Sequence, residues 1–327
     1  MVNTRKTSAR VIKRINDMRE QELRRSLLIA VIALAVMATL FVGYYVIDRY
    51  VRVGANSAPN TADTEMQQVE NAVRDNPQAP DLRVALAQKY LDQSLYVKAI
   101  DQATQVLTAY PDREDAMMIA GKALTHASRP QEAIAQFEAL AKARESTAKS
   151  LKDPTLEAAY YFLGQNYNAT GQHDKALTAL ESALKIDLTD ADALYQAGLA
   201  AQATKQYDKA VEYYNRATRL VPEFTEVYGG LIDTYTALNQ PDNANMARGL
   251  QAYSVKDYQT ALTLLEPAIK TLPTNAQVYF GLALTYEKLN RIQDAYRIIQ
   301  SAEKLDPNHI GIQQALGRIE IAVNTKK

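Results

Sequence analysis

The sequence predicts an all-α protein, a solenoid of antiparallel helix pairs preceded by one membrane-crossing helix. Three observations carry this expectation. Small residues and prolines recur in one register: Ala99…Pro111, Ala210…Pro222, Ala261…Pro273 and Ala295…Pro307 are each twelve residues apart. Gly121, Gly164, Gly198 and Gly249 precede Ala133, Ala176, Ala210 and Ala261 by the same interval. Apolar residues fill the segments between at a period of 3.6, the mark of amphipathic helices. Residues 26–47, finally, are 22 in a row without a charge.

That uncharged run is about 33 Å long as a helix, enough to cross a hydrocarbon core of roughly 30 Å. It exceeds the apolar stretch of a cleaved signal peptide, and Tyr44, Tyr45 and Tyr50 cluster at one end where amphipathic rings favour headgroups. Residues 1–25 hold eight basic and three acidic groups, a net +5. The positive-inside bias keeps such a tail cytoplasmic and sends residues 48–327 across. The expected placement is therefore a single-pass cytoplasmic (inner) membrane protein with an extracytoplasmic, periplasmic array. Val11, Ile12, Ile15, Met18 and Leu23 also give the tail a weakly amphipathic spacing. Residues 48–60 read as a polar linker.

From residue 61 to 323 the chain is a repeat array. Each unit is two amphipathic helices; small residues stand where the pair approaches closely, and Pro stops the second helix. The units are 80–113, 114–156, 157–190, 191–224, 242–275 and 276–309. Residues 61–77 form the second half of a unit ending at Pro77, residues 310–323 cap the open end, and 324–327 are a tail. In unit 276–309 the anchors are Tyr279, Leu282, Ala283, Tyr286, Ala295, Ile299, Ala302 and Pro307. With these anchors recurring in one register, the chain resembles the tetratricopeptide repeat, 34 residues folding as an antiparallel helix pair. The resemblance covers the array and implies a right-handed superhelix.

Two irregularities interrupt the register. Unit 114–156 is nine residues too long, which predicts a second helix extended from about Gln131 to Leu151 and closed before Asp153-Pro154, an N-cap and first-turn pair. Lys142, Arg144, Lys149 and Lys152 then form a solvated tip. Residues 225–241 are half a unit, one helix with Tyr228, Leu231 and Tyr235 and no partner of its own, which predicts a break in superhelix curvature there.

Composition closes off most chemistry. The 327 residues carry 37 Lys+Arg against 37 Asp+Glu, with no Cys and no Trp. Disulfide frameworks, thiolate metal sites, iron–sulfur clusters and cysteine nucleophiles are excluded. His126, His173 and His309 fall in separate turns, with no ligand spacing on one helix. Glycines sit at packing positions and form neither a dinucleotide nor a phosphate loop. Carboxylates at Glu114/Asp115 and Asp190/Asp192 belong to first turns, where the helix dipole favours them. Most tyrosines occupy helix-packing positions. The array leaves no room for a catalytic domain. No enzyme activity, cofactor, metal or small-molecule substrate is expected, and an acidic outer part argues against nucleic acid.

What remains is binding of proteins or extended peptide segments on the face made by the first helices. The resemblance implies lining by the second, fifth, ninth and twelfth positions of each unit. These are Val84, Gln88, Met118, Lys122, Tyr161, Gln165, Asn168, Asp192, Tyr195, Leu199, Gln202, Glu226 and Asp233. Only Lys122 is basic among them, so the set departs from the cationic clamp with which some relatives of this type grip a C-terminal carboxylate. The expected role is a membrane-tethered scaffold or assembly factor. The alternatives are a chaperone-like receptor for translocated polypeptides, similar to translocon-associated or cytochrome c maturation repeat subunits, and a permanent structural subunit of a membrane complex.

Overall fold

The computed structural model describes residues 61–147 and 152–325. The chain divides into two compact units, Met1–Gln68 and Val69–Lys327; of the first, residues 61–68 are described. Fifteen α-helices are described: α1 (Thr61–Asp75), α2 (Pro80–Asp92), α3 (Tyr96–Ala109), α4 (Glu114–His126), α5 (Pro130–Thr147), α6 (Pro154–Ala169), α7 (His173–Ile186), α8 (Ala191–Ala203), α9 (Tyr207–Leu220), α10 (Thr225–Ala237), α11 (Pro241–Ser254), α12 (Tyr258–Thr271), α13 (Ala276–Lys288), α14 (Ile292–Leu305) and α15 (Ile310–Thr325). From α2 onward each helix packs on the next along the chain.

Two kinds of turn alternate, and local chemistry makes each. A first helix ends with a residue in the left-handed region followed by a backbone bond reaching back five residues, as in Ser94 (φ 59) and Leu95 N–H to the Tyr90 carbonyl at 2.8 Å. This closure satisfies carbonyls that the helix end leaves open. It recurs at Ser128, Gly171, Lys205, Asn239, Lys256 and Asn290. The turn from a second helix to the next first helix has no such residue and is tied differently. Arg83, Tyr228, Tyr279 and Gln313, each in the first turn of its helix, donate a side-chain hydrogen bond to the carbonyl of the proline six residues upstream, at 2.8–3.1 Å.

The left-handed residues record both irregularities. Their successive spacings are 34, 43, 34, 34, 17 and 34 residues. The long interval belongs to unit 114–156, whose second helix α5 has 18 residues where α3 and α7 have 14. Its expected continuation to residue 151 lies outside the described residues. Asp153 caps α6 as expected, accepting from the Thr155 and Leu156 N–H groups at 3.0 and 3.1 Å. Arg144 departs from the expected solvated tip. It bridges Glu114 of α4 and Asp153, both at 3.2 Å, and so locks the long helix back onto its own unit.

The short interval reveals a shared helix. Both the turn into α11 and the turn out of it are of the first-to-second kind, since Asn239 and Lys256 are both left-handed. The expectation that the half unit lacks a partner is corrected: α10 packs on α11, which buries Ala244 and Ala247, and α11 in turn packs on α12. Gly249 on α11 lies against Leu265 of α12, as Gly121 does against Phe137 and Gly164 against Leu180. Contacts between alternate helices follow the same logic. They run α2–α4–α6–α8–α10 and then α11–α13–α15, so the row of first helices changes parity at α11.

The core is the seam between these layers. Tyr214, Phe137, Leu140, Leu180, Leu194, Leu231, Leu265, Leu282, Ile299 and Ile312 are fully buried, with small alanines between them. Tyr90, Tyr167, Tyr213, Tyr228, Tyr235, Tyr253 and Tyr286 are buried as well, the packing role expected of them.

The expected membrane placement is corrected. Among the described residues no helix is long and apolar enough to cross a membrane. The described helices are amphipathic, burying one stripe against neighbours and leaving charge on the other, which a bilayer core would not tolerate. Residues 26–47, on which the single-pass inner-membrane reading depended, lie outside the described residues.

Candidate functional site

The row of first helices presents its open face between α6, α8 and α10. There Asn168, Tyr195, Leu199, Gln202, Glu226 and Asp233 come together around an open groove of about 740 Å³, joined by His173, Ala203, Tyr207, Gly229, Gly230 and Ala237. These side chains fall on one side because they sit three, four or seven residues apart along their helices. Tyr195 is half-buried, its ring 5.3 Å from that of Phe224 and 6.2 Å from that of Tyr214. The Tyr214 hydroxyl donates to Gln202 Oε1 at 2.9 Å, which fixes the amide at the groove edge. Asn168 is held more firmly: its amide donates to the Gln196 carbonyl and Oε1 at 3.0 and 3.1 Å, and its Oδ1 lies 3.2 Å from His173 Nδ1. Asn168 therefore clamps α6 to α8. Burial raises the Tyr195 hydroxyl pKa above its ordinary value, and the nearby Glu226 carboxylate adds to the shift.

A second, smaller concavity of about 450 Å³ between α4 and α6 gathers Gln88, Met118 and Lys122 with Glu114, Asp115, Pro154 and Thr155. Its charges are largely compensated. Lys122 Nζ lies 5.4 Å above the Phe162 ring, Arg113 pairs with Asp115 at 2.9 Å, and Glu114 is held by Arg144. Gln88 donates to Asp92 on its own helix at 2.7 Å.

Four expected residues line neither concavity. Val84 packs instead against the buried cluster of Ala87, Ala103, Ile119 and Ala120, because its unit position turns inward where α2 meets α4. Tyr161 is half-buried edge-on to Phe162, ring centroids 5.1 Å apart, and its hydroxyl is pushed up to about 12 by burial and by Asp192, Asp190 and Glu157. Gln165 has its Oε1 buried without a hydrogen bond among the described residues. Asp192 is exposed at the start of α8, where partial desolvation and the nearby Asp190 raise its pKa.

Sequence reasoning confined to first helices missed His173 and Tyr207, the opening residues of the second helices α7 and α9. A signal was present. Tyr96, His173, Tyr207 and Tyr258 recur at that one unit position, and Tyr96 stacks on His126 with ring centroids 5.2 Å apart. Glu157 was also missed. Its carboxyl is half-buried, has an oxygen without a hydrogen bond among the described residues, and is raised to about 7 by burial and by the adjacent Asp190 and Asp187. Among the described residues no group of three or more His, Cys, Asp or Glu could hold a metal ion.

The chain is similar to several known proteins. Relatives include the human DnaJ homolog subfamily C member 7, 26% identical over 43% of this chain and 28% of its own length. BBSome complex member BBS4 of Bos taurus is 23% identical over 78% of this chain and 46% of its own. The chain thus spans less than half the length of these relatives. Among solved structures, MamA aligns at 22% identity over 53% of this chain and 95% of its own, with a TM-score of 0.47. Tetratricopeptide repeat models match residues 84–148, 157–190, 191–224 and 252–319, together well over half of the chain. The chain belongs to the tetratricopeptide repeat family.

Proposed function

We propose that the protein is a non-enzymatic protein–protein interaction scaffold that binds extended segments of partner proteins in the groove between α6, α8 and α10. The observation that carries the reading is the convergence of six candidate residues from three helices on one open concavity. Half-buried aromatic surface at Tyr195, an apolar side chain at Leu199 and the Gln202 amide can serve the side chains and backbone of such a segment. The four family models matched above all describe tetratricopeptide repeats.

Site-specific photo-crosslinking tests this. A photoreactive residue at Leu199, in the groove, should capture partner protein in near-stoichiometric yield. The same residue at Val97, 67% exposed on the second helix α3, should not. Equal capture from both sites, or capture from Val97 alone, would refute the groove as the binding face. One dominant adduct supports a dedicated scaffold, whereas many substoichiometric adducts support a chaperone-like receptor.

A further inference from the structure

We propose that the groove receives its partner through a lysine or arginine side chain, seated in a glycine-floored notch on α10 between Glu226 and Asp233. The proposal rests on the groove reading above. Its first observation is a missing side chain. Gly229 occupies the unit position that holds Met118, Tyr161 and Tyr195 in the three preceding units, so α10 projects nothing there. A Cβ built on Gly229 would meet a single atom within 4 Å, Gln251 Nε2 at 3.9 Å. The gap is real space in a groove that is otherwise walled by Tyr195, Gln202 and Tyr207.

The second observation is charge. Glu226 and Asp233 stand one turn to either side of the gap, seven residues apart and so about 10 Å along the helix. Both are exposed to the groove, and no Lys or Arg lines it. Among the described residues neither carboxylate has an ion-pair or hydrogen-bond partner. Several other carboxylates of the array are compensated: Asp81 and Asp115 by Arg113, Glu114 and Asp153 by Arg144, Glu181 by Lys209, Glu287 by Arg318. Two uncompensated carboxylates on a concave wall focus negative potential into the gap. The face of a tyrosine ring beside them adds attraction for a cation. A neutral side chain forgoes both terms, and an acidic one is repelled. A long aliphatic stem carrying a charge at its tip fits, since the stem covers Tyr195 and Leu199 while the head reaches the carboxylates.

Panning of phage bearing random decapeptides on the full chain tests the idea. The expected result is enrichment of Lys or Arg at one position over the input library. A synthetic consensus peptide should then lose about tenfold in affinity when that residue becomes norleucine, or when the protein carries Glu226→Gln with Asp233→Asn. Rising salt should weaken it too. Gly229→Leu fills the notch and should abolish binding. The carboxylate variant, both residues being exposed, should melt at the wild-type temperature. Enriched peptides without a basic preference, or with one that the carboxylate variant leaves intact, would overturn the inference while the groove reading stands. No enrichment of any sequence on the wild-type chain would overturn both.

Discussion

Tyr214 is pinched between glycines of two different helices, and a methyl group there makes a sharp test. Its ring is fully buried between α8 and α10. A Cβ added to Gly198 would stand 2.5 Å from Tyr214 Cδ1, and one added to Gly230 would stand 2.7 Å from the Tyr214 hydroxyl. Real Cβ contacts do not approach so closely, so the ring must move. Moving away from α8 drives it into α10, where the second glycine already receives it. Overpacking of this kind costs about 1–3 kcal/mol, against a gain of about 1 kcal/mol for replacing Gly by Ala in a helix. Gly198→Ala should therefore destabilise by up to about 2 kcal/mol. Gly198→Ala with Gly230→Ala should lose more than the sum, because each methyl blocks the other's escape. Gly317→Ala is the control: nothing lies within 4 Å of its Cβ, and it should stabilise by roughly 0.5–1 kcal/mol. Urea titrations followed by circular dichroism read the wild-type chain, Gly198→Ala, Gly230→Ala, the double substitution and Gly317→Ala, with the slope compared to detect any loss of cooperativity. If Gly198→Ala stabilised as much as Gly317→Ala, or if the double substitution were additive, close packing at Tyr214 would not be what fixes this register.

Three further expectations follow from the local chemistry. Asp153→Ala removes the cap of α6 and one anchor of Arg144, and should lower stability in urea titration by at least about 1 kcal/mol. Glu157 has a folded pKa of about 7, above the ordinary carboxylate value, so the folded state binds the extra proton. The stability this contributes is complete below pH 4.5 and is lost as pH rises through 7, so Glu157→Gln should raise the melting temperature at pH 8 and change it little at pH 4. Lys256 is held at φ 66, where a side chain is strained, and Lys256→Gly should raise the urea midpoint by an amount corresponding to up to about 1 kcal/mol.

The helix pairs were legible because their anchors are steric. Gly164 must face Leu180, and a proline closes most of the second helices, so spacing alone gave the register. The half unit was legible for the same reason, but the double role of α11 was not. Its residues satisfy the second-helix pattern at Ala244 and the first-helix pattern at Gly249, and a one-register alignment can record only one of them. Of the candidate groove, residues at lining positions were found wherever the neighbouring helix leaves them room. Val84 obeys the same spacing, yet packing between α2, α3 and α4 absorbs it, while Tyr161 turns edge-on to its neighbour Phe162. Tyr207 and His173 reach the groove from the other helix of the pair, a direction that one-helix periodicity does not encode.

The parity change at α11 also sets a ruler. Packed helices stand about 8–10 Å apart, so the row α2–α4–α6–α8–α10 is roughly 40 Å from end to end. A strand-like segment advances about 3.3 Å per residue, so some twelve residues can be read along that row before it ends. The next row, α11–α13–α15, begins from a helix that already serves as the back of α10. A longer partner segment cannot simply run on in the same track. Deleting 17 residues around α10 would merge the two rows into one track, and the maximum length of peptide protected from proteolysis should then increase.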